Sequence, residues 1–278
     1  MIRIDAHQHF WDPARGDYFW MTPQVGALNR VFGPDDLVPL LAAAGIDGTV
    51  LVQAAPTVAE TDYMLRLAEG CDAVKGVVGW IDFEDRGHER ELDRLAAHPK
   101  IRGFRPMIQD IADPDWMLRA DIQWAFEALV ERNLTFDALL HPVHLPRLVR
   151  LLDRHPDLRV VVDHGAKPVI REGRFDDWAR DIARVATTTS ALCKLSGLVT
   201  EAKPDWSDDD LEPYVSHLLS TFGPRRLMFG SDWPVATLAS TYARWVSTAE
   251  RLTSSCSPEE SAAIFGGNAA VFYRLGPS

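Results

Sequence analysis

Short apolar runs alternate with amphipathic stretches along most of the chain. The runs, rich in Val, Ile, Leu and Phe, fall at Ile2–Ala6, Gly48–Gln53, Lys75–Trp80, Ile101–Arg105, Leu134–Leu140, Leu158–Asp163, Ala191–Ser196 and Arg226–Gly230. Each reads as a strand. Between them the periodicity predicts helices over Asp35–Ala44, Gly87–Ala97, Ile122–Arg132, Leu145–Arg154, Asp176–Thr187 and Asp209–Phe222. Asp35 and Asp36 place negative charge in the first turn of the first helix, and Gly45 suits its exit.

Eight strands separated by helical patterns imply β/α units and a parallel sheet. Right-handed crossovers of eight such units close into a (β/α)8 barrel, the α/β architecture expected here. An open doubly wound sheet is the runner-up, but it would prefer a GxGxxG fingerprint after an early strand, and none occurs. No linker, composition break or internal repeat divides the chain, so residues 1–278 are expected to form one domain. The segment Trp11–Pro34 is aromatic and turn-rich and reads as a long loop over the first strand, a place where function concentrates.

Composition narrows the function classes. Hydrophobic content of 46% and charged content of 25% are ordinary for a globular protein with a sizeable core. A formal net charge of −11 opposes extended contact with nucleic-acid phosphates or an anionic bilayer. Cys71, Cys193 and Cys256 are odd in number and far apart, which argues against a disulfide framework or a cysteine zinc site and fits a reducing compartment. With no secretion-signal pattern and no apolar run of membrane-spanning length, the chain reads as a cytoplasmic enzyme or binding protein. Its oligomeric state stays open, a homodimer included.

Chemistry in a parallel barrel gathers at the carboxyl ends of the strands. Those ends carry His7 and His9, then Gln53, Trp80, Arg105, His141 with His144, His164, Lys194 with Ser196, and Ser231 with Asp232. So many polar groups at one pole of apolar runs imply a shared polar cavity, because burying them unpaired would be costly. His7 and His9, at i and i+2, point to one face of a strand. Histidines and an aspartate can hold Zn²⁺ or another divalent ion. Without a metal, His7, His9 and Arg105 could instead polarise a carbonyl while Asp232 activates water.

Each candidate also has a plainer role. Asp232 could cap the following turn, Arg105 could pair with Asp110 or Asp137, and His144 could begin the helix at Leu145. His88, His98, His155 and His217 read as surface residues. Trp20 and Trp80 are candidate platforms for a sugar ring, although tryptophans serve more often as core. Gln53, Lys167 and Lys194 are candidate contacts for substrate polar groups.

The early HxH, the segment Val161–Pro168 containing His164, and Gly230-Ser231-Asp232-Trp233-Pro234 after the eighth run together resemble the amidohydrolase superfamily. His7-Gln8-His9-Phe10-Trp11, Gly103-Phe104-Arg105-Pro106 and Phe265-Gly266-Gly267-Asn268-Ala269 narrow the resemblance to its sugar-lactonase branch, which includes L-fuconolactonases, L-rhamnonolactonases and the pyrone dicarboxylate lactonase. The resemblance implies a barrel that opens a sugar lactone such as L-fuconolactone. Asp232 would be the general acid/base, His7, His9 and His164 would surround the carbonyl, and Arg105 would bind its oxygen.

One departure matters. Arg105 stands where the superfamily often has a metal-bridging lysine, which argues against a binuclear centre. The resemblance leaves room for a single ion, zinc foremost, on His7, His9, His141 and Asp232, and equally for metal-free catalysis. A metal-dependent decarboxylase using His141 and a catalytically silent sugar-binding barrel are the alternatives.

Overall fold

The computed structural model describes residues 2–276. Eight parallel strands follow one another around a ring in chain order: β1 (Ile4–Gln8), β2 (Gly48–Val52), β3 (Val74–Gly79), β4 (Ile101–Phe104), β5 (Thr135–Ala138), β6 (Arg159–Val162), β7 (Leu192–Leu195) and β8 (Leu227–Phe229). Helices α1 (Pro34–Ala43), α2 (Val58–Glu69), α3 (Glu89–Ala96), α4 (Gln123–Glu131), α5 (Leu145–Arg154) and α6 (Asp176–Thr188) separate the first seven strands. A short α7 (Leu198–Glu201) and the long α8 (Asp208–Phe222) precede β8, and α9 (Tyr242–Leu252), α10 (Pro258–Ala262) and α11 (Asn268–Phe272) follow it. This is the (β/α)8 barrel that the alternation predicts.

The core has two compartments. Inside the barrel, Ile4, Ala6, Val50, Val52, Val78, Val161 and Met228 interlock, and Phe272 and Tyr273 close the floor. Outside it, a larger apolar shell lies between the strands and the helices. Helix α2 is absent from the sequence-based reading because two inward-facing residues, Glu60 and Thr61, are polar and blur the apolar period. The helix expected from Gly87 begins instead as a single 3-10 turn, Arg86–His88. The loop Trp11–Pro34 forms two 3-10 segments, Pro13–Arg15 and Pro23–Leu28, anchored by the buried Trp11, whose indole N–H donates to the Leu28 and Arg30 carbonyls.

Closure between β8 and β1 positions the site. Asp5 pairs with Thr49, but the next pair is Gln8 with Leu51, so β1 advances three residues while β2 advances two. This bulge changes the parity of the strand. Ile4 and Ala6 face the interior, and after the extra residue so do His7 and His9. The buried Asp5 staples the seam: its carboxylate accepts from the Ser231 amide at 2.8 Å, the His7 amide at 3.2 Å and the Tyr242 hydroxyl at 3.0 Å. Beyond the bulge, the Asp232 amide donates to the His7 carbonyl at 2.8 Å and the His9 amide to the Trp233 carbonyl at 2.7 Å.

Asp5→Ala leaves three buried donors without an acceptor. It should lower unfolding free energy by about 3–5 kcal/mol, at roughly 1–3 kcal/mol per unsatisfied group less local relaxation. Urea unfolding monitored by circular dichroism measures this; a loss under about 1 kcal/mol would mean that the seam does not depend on Asp5.

Candidate active site

At the carboxyl pole of the barrel, three side chains meet. His7 Nε2 lies 3.2 Å from His9 Nε2, and Asp232 Oδ1 lies 3.7 Å from the first and 3.3 Å from the second. His164 Nε2 stands 3.9 Å from the same carboxylate oxygen. Asp232 does not cap the following turn with its side chain; its backbone carbonyl accepts from Ala236, and its carboxylate faces the histidines. Asp232 (φ +55°), His164 (φ +54°) and Lys167 (φ +51°) occupy left-handed backbone that non-glycine residues adopt only when their surroundings enforce it. Gly197 makes room for His164, because a Cβ there would lie 2.5 Å from its Nδ1. The His164 Nδ1 and Ser196 Oγ share a hydrogen bond of 2.8 Å.

A buried charge network backs this cluster. Arg105 donates from Nε and Nη2 to Gln53 Oε1 at 3.1 and 2.9 Å, and from Nη1 to Asp163 at 3.2 Å, and Nη1 lies 3.3 Å from His7 Nε2. Lys194, fully buried, donates to Asp137 at 2.6 Å, forms an ion pair with Asp163 at 2.9 Å and lies 3.1 Å from His7 Nδ1. The Tyr273 hydroxyl rises from the floor to donate to Asp137 at 2.5 Å. Two carboxylates thus meet two cations, which is what permits such charges to be buried.

Burial disfavours the Asp163 charge, but Lys194, His7 and Arg105 outweigh it and hold the carboxyl well below the usual range. Burial also works against the Asp232 charge, and the surrounding imidazoles of His164, His9 and His7 overcome it, holding that carboxyl well below the usual range. Burial lowers His7, with Lys194 adding to the effect, and burial lowers His9; it pushes His164 down to about 4. At neutral pH the site therefore presents neutral imidazoles around an ionised carboxylate.

That combination suits a divalent cation. In a tetrahedral site with arms of 2.0–2.1 Å, ligand atoms stand about 3.3 Å apart, close to the 3.2, 3.3 and 3.7 Å between the His7, His9 and Asp232 donor atoms. His9 bonds the Val52 carbonyl through Nδ1 at 2.7 Å, which leaves its Nε2 lone pair toward the cluster. His141 does not join them. It is exposed, on an outer cavity with Val143 and Trp178, and its amide bonds His144 Nδ1, which sets up the start of α5.

The cavity above the cluster measures about 190 Å³ and is lined by His9, Arg105, His164 and Asp232, with Trp20, Gln109 and Lys167 around them. Trp20 is thus in place for a ligand. Trp80 is not: it lines a neighbouring cavity of about 440 Å³ with Phe83 and Trp116, separated by Trp20 and Met107. Gln53 and Lys194 are not among the lining residues; the one holds Arg105 and the other lies against His7. His88, His98, His155 and His217 are half-buried rather than superficial, each hydrogen-bonded away from this cavity. The sequence reading missed Asp5, Asp163 and Tyr273 and took Asp137 only as a partner for Arg105. For the three aspartates the available signal was a charge embedded in, or ending, an apolar run.

Fold and donor set together define the class: a (β/α)8 barrel with a buried cluster of histidines and an aspartate at its strand ends. Within that class the chain belongs to the amidohydrolase family, whose model matches residues 4–275. It is 44% identical over 278 residues to an L-fucono-1,5-lactonase of Burkholderia ambifaria, covering 99% of this chain and 96% of the relative. A second L-fucono-1,5-lactonase, from Burkholderia multivorans, is 38% identical over 292 residues, covering 99% and 96%. A crystal structure of an amidohydrolase from Burkholderia multivorans with bound zinc superposes with a TM-score of 0.94 at 36% identity, covering 99% of this chain and all of that one.

The lowered imidazoles carry a pH signature. An unfolded histidine titrates near 6.5 and the folded His164 near 4, so between these values only the unfolded chain binds the proton. The stability His164 contributes above pH ~6.5 is therefore lost as pH falls toward 4, by about 3 kcal/mol, with His7 and His9 acting in the same direction and Asp5 and Glu60, raised by burial to about 6 and about 8, acting against it. The urea midpoint of chelator-treated wild type, less that of His164→Asn at the same pH, should fall across that window; a difference that stays level contradicts neutral burial of His164.

Proposed function

We propose that the chain hydrolyses a sugar lactone of the L-fucono-1,5-lactone type to the open-chain aldonic acid, with Asp232 as general acid/base. The observation that carries this reading is the Asp232 carboxylate held among His7, His9 and His164 at the foot of a cavity that Arg105 also lines. The relative at 44% identity supports the substrate class.

The residues divide the chemistry as follows. Ionised Asp232 accepts a proton from water as the water attacks the lactone carbonyl. The Arg105 guanidinium, fixed by Gln53 and Asp163, donates toward the oxygen on which charge develops. His164, tethered to Ser196, presents Nε2 to the water or the carbonyl. Protonated Asp232 then returns its proton to the ring oxygen as the C–O bond breaks, and a hydroxyl and a carboxylic acid result.

A carboxylate held so far below its usual range is a weak base toward free water. We propose that His7, His9 and Asp232 hold one zinc ion, consistent with their nitrogen and oxygen donors. Such an ion supplies Lewis acidity that lowers the pKa of water to about 7. The decarboxylase reading relied on His141 as a ligand, and the exposed position of that residue removes its basis. We place the reaction in the cytoplasm, a compartment that suits the free thiols of Cys71, Cys193 and Cys256.

Asp232→Asn should lower kcat/KM on L-fucono-1,5-lactone by about 10²–10⁴-fold with the thermal transition retained, whereas His141→Ala should leave it unchanged. A pH-indicator assay reads both, and near-normal turnover by Asp232→Asn rules out its proposed role. Elemental analysis of the purified protein should find about one zinc per chain, and His9→Asn should abolish it; zinc retained in full by that variant rules out the donor set.

A further inference from the structure

The cavity above Asp232 has two unlike sides. Val25 and Leu28 come from the 3-10 segment Pro23–Leu28 after β1, and Val235 and Leu238 from the 3-10 turn Val235–Leu238 after β8. Since β8 and β1 meet at the barrel seam, these four apolar side chains form one lip. Leu238 remains 43% exposed, a large apolar side chain held open at the mouth. In a ring of eight strands, the loop after β4 stands across from the loop after β8. That far side carries Gln109, whose side-chain oxygen is buried and has no partner among the described residues. Lys167 adds a donor after β6.

We infer that this lip receives the C6 methyl group of a 6-deoxy-1,5-lactone and that Val235 and Leu238 set the preference for it over the 6-hydroxy sugar. The inference rests on the lactonase reading above and follows from the connectivity of the substrate. In a 1,5-lactone the leaving ring oxygen is bonded to C5, and C5 carries C6. If Asp232 protonates that oxygen, C6 must lie beside Asp232. The chain leaves Asp232 directly into the turn bearing Val235 and Leu238, a turn pinned by the Ala236 amide donating to the Asp232 carbonyl at 2.8 Å. The hydroxyls on C2, C3 and C4 occupy the opposite edge of the ring, toward Gln109 and Lys167. A methyl group on the lip loses water without losing a hydrogen bond, whereas a hydroxymethyl group there gives up solvent and gains no partner.

Three lactones of matched ring stereochemistry test this: the 6-deoxy compound, its 6-hydroxy counterpart, and the pentonolactone lacking C6. Wild type should prefer the first over each of the others by about 10–100-fold in kcat/KM, the range one methyl or hydroxyl difference commands in an apolar pocket. Val235→Thr and Leu238→Gln should each cut the preference over the 6-hydroxy lactone by about tenfold. Both variants are conservative toward the fold, the first in shape and the second by exposure, and their thermal transitions check this. Equal turnover of all three lactones by wild type, or an unchanged ratio in both variants, overturns the lip while the lactonase reading stands. Turnover of none of them by wild type overturns both.

Discussion

The β1–β8 seam is the constraint on which the rest of the molecule depends. A closed barrel needs its last strand to bond its first, and here that contact passes through the residues of the site. The amide of Asp232 and the carbonyl of His7 form one closing hydrogen bond, and His9 and Trp233 form the next. Closing the sheet and assembling the donor set are therefore one event. The bulge at Ala6–His7 makes this workable. Without the extra residue, the parity that sends Ile4 and Ala6 inward would turn His7 and His9 toward the outer shell.

Charge burial follows from that geometry. Inward-facing polar side chains at the strand ends cannot reach bulk water, so they must satisfy one another. Asp137, Asp163, Lys194 and Arg105 do so as a near-neutral set, and His7 stands between this set and the cavity. The same low-dielectric surroundings keep the imidazoles uncharged and leave Asp232 as the anion facing the cavity among them. A site built this way offers lone pairs and one negative charge, the requirements of a cation or of a proton that must be moved and returned.

Most of the architecture was readable from periodicity, because strands buried on both faces appear as unbroken apolar runs and α5 and α6 show clean amphipathic patterns. Helix α2 was hidden by its buried Glu60 and Thr61. The strand-end rule singles out His7, His9, Arg105, His164 and Asp232, which lie together in the structure because each stands at or just beyond the end of a strand. It could not separate a side chain that faces the cavity from one that stands behind another. Gln53 and Lys194 obey the same rule as Arg105, yet both serve their neighbours. His141 and Asp232 both stand three residues beyond their strands, but the Asp232 amide is tied across the seam to the His7 carbonyl, whereas the His141 amide is tied to His144 at the start of α5. The bulge itself has no signature in composition, for it depends on pairing with β2 and on Asp5 finding donors more than two hundred residues away.

Tyr273 gives the site a place in time. Its hydroxyl enters from the barrel floor to complete the Asp137–Lys194 pair, whereas Asp5 and His7 belong to the first strand. The polar groups that define the site thus run from Asp5 to Tyr273, and a growing chain holds its first histidines long before the tyrosine whose hydroxyl donates to Asp137 beneath them. Synthesis must pass residue 273 before the ring can close around a complete hydrogen-bond network. A nascent chain short of that residue holds the histidines without the floor that braces the charges behind them.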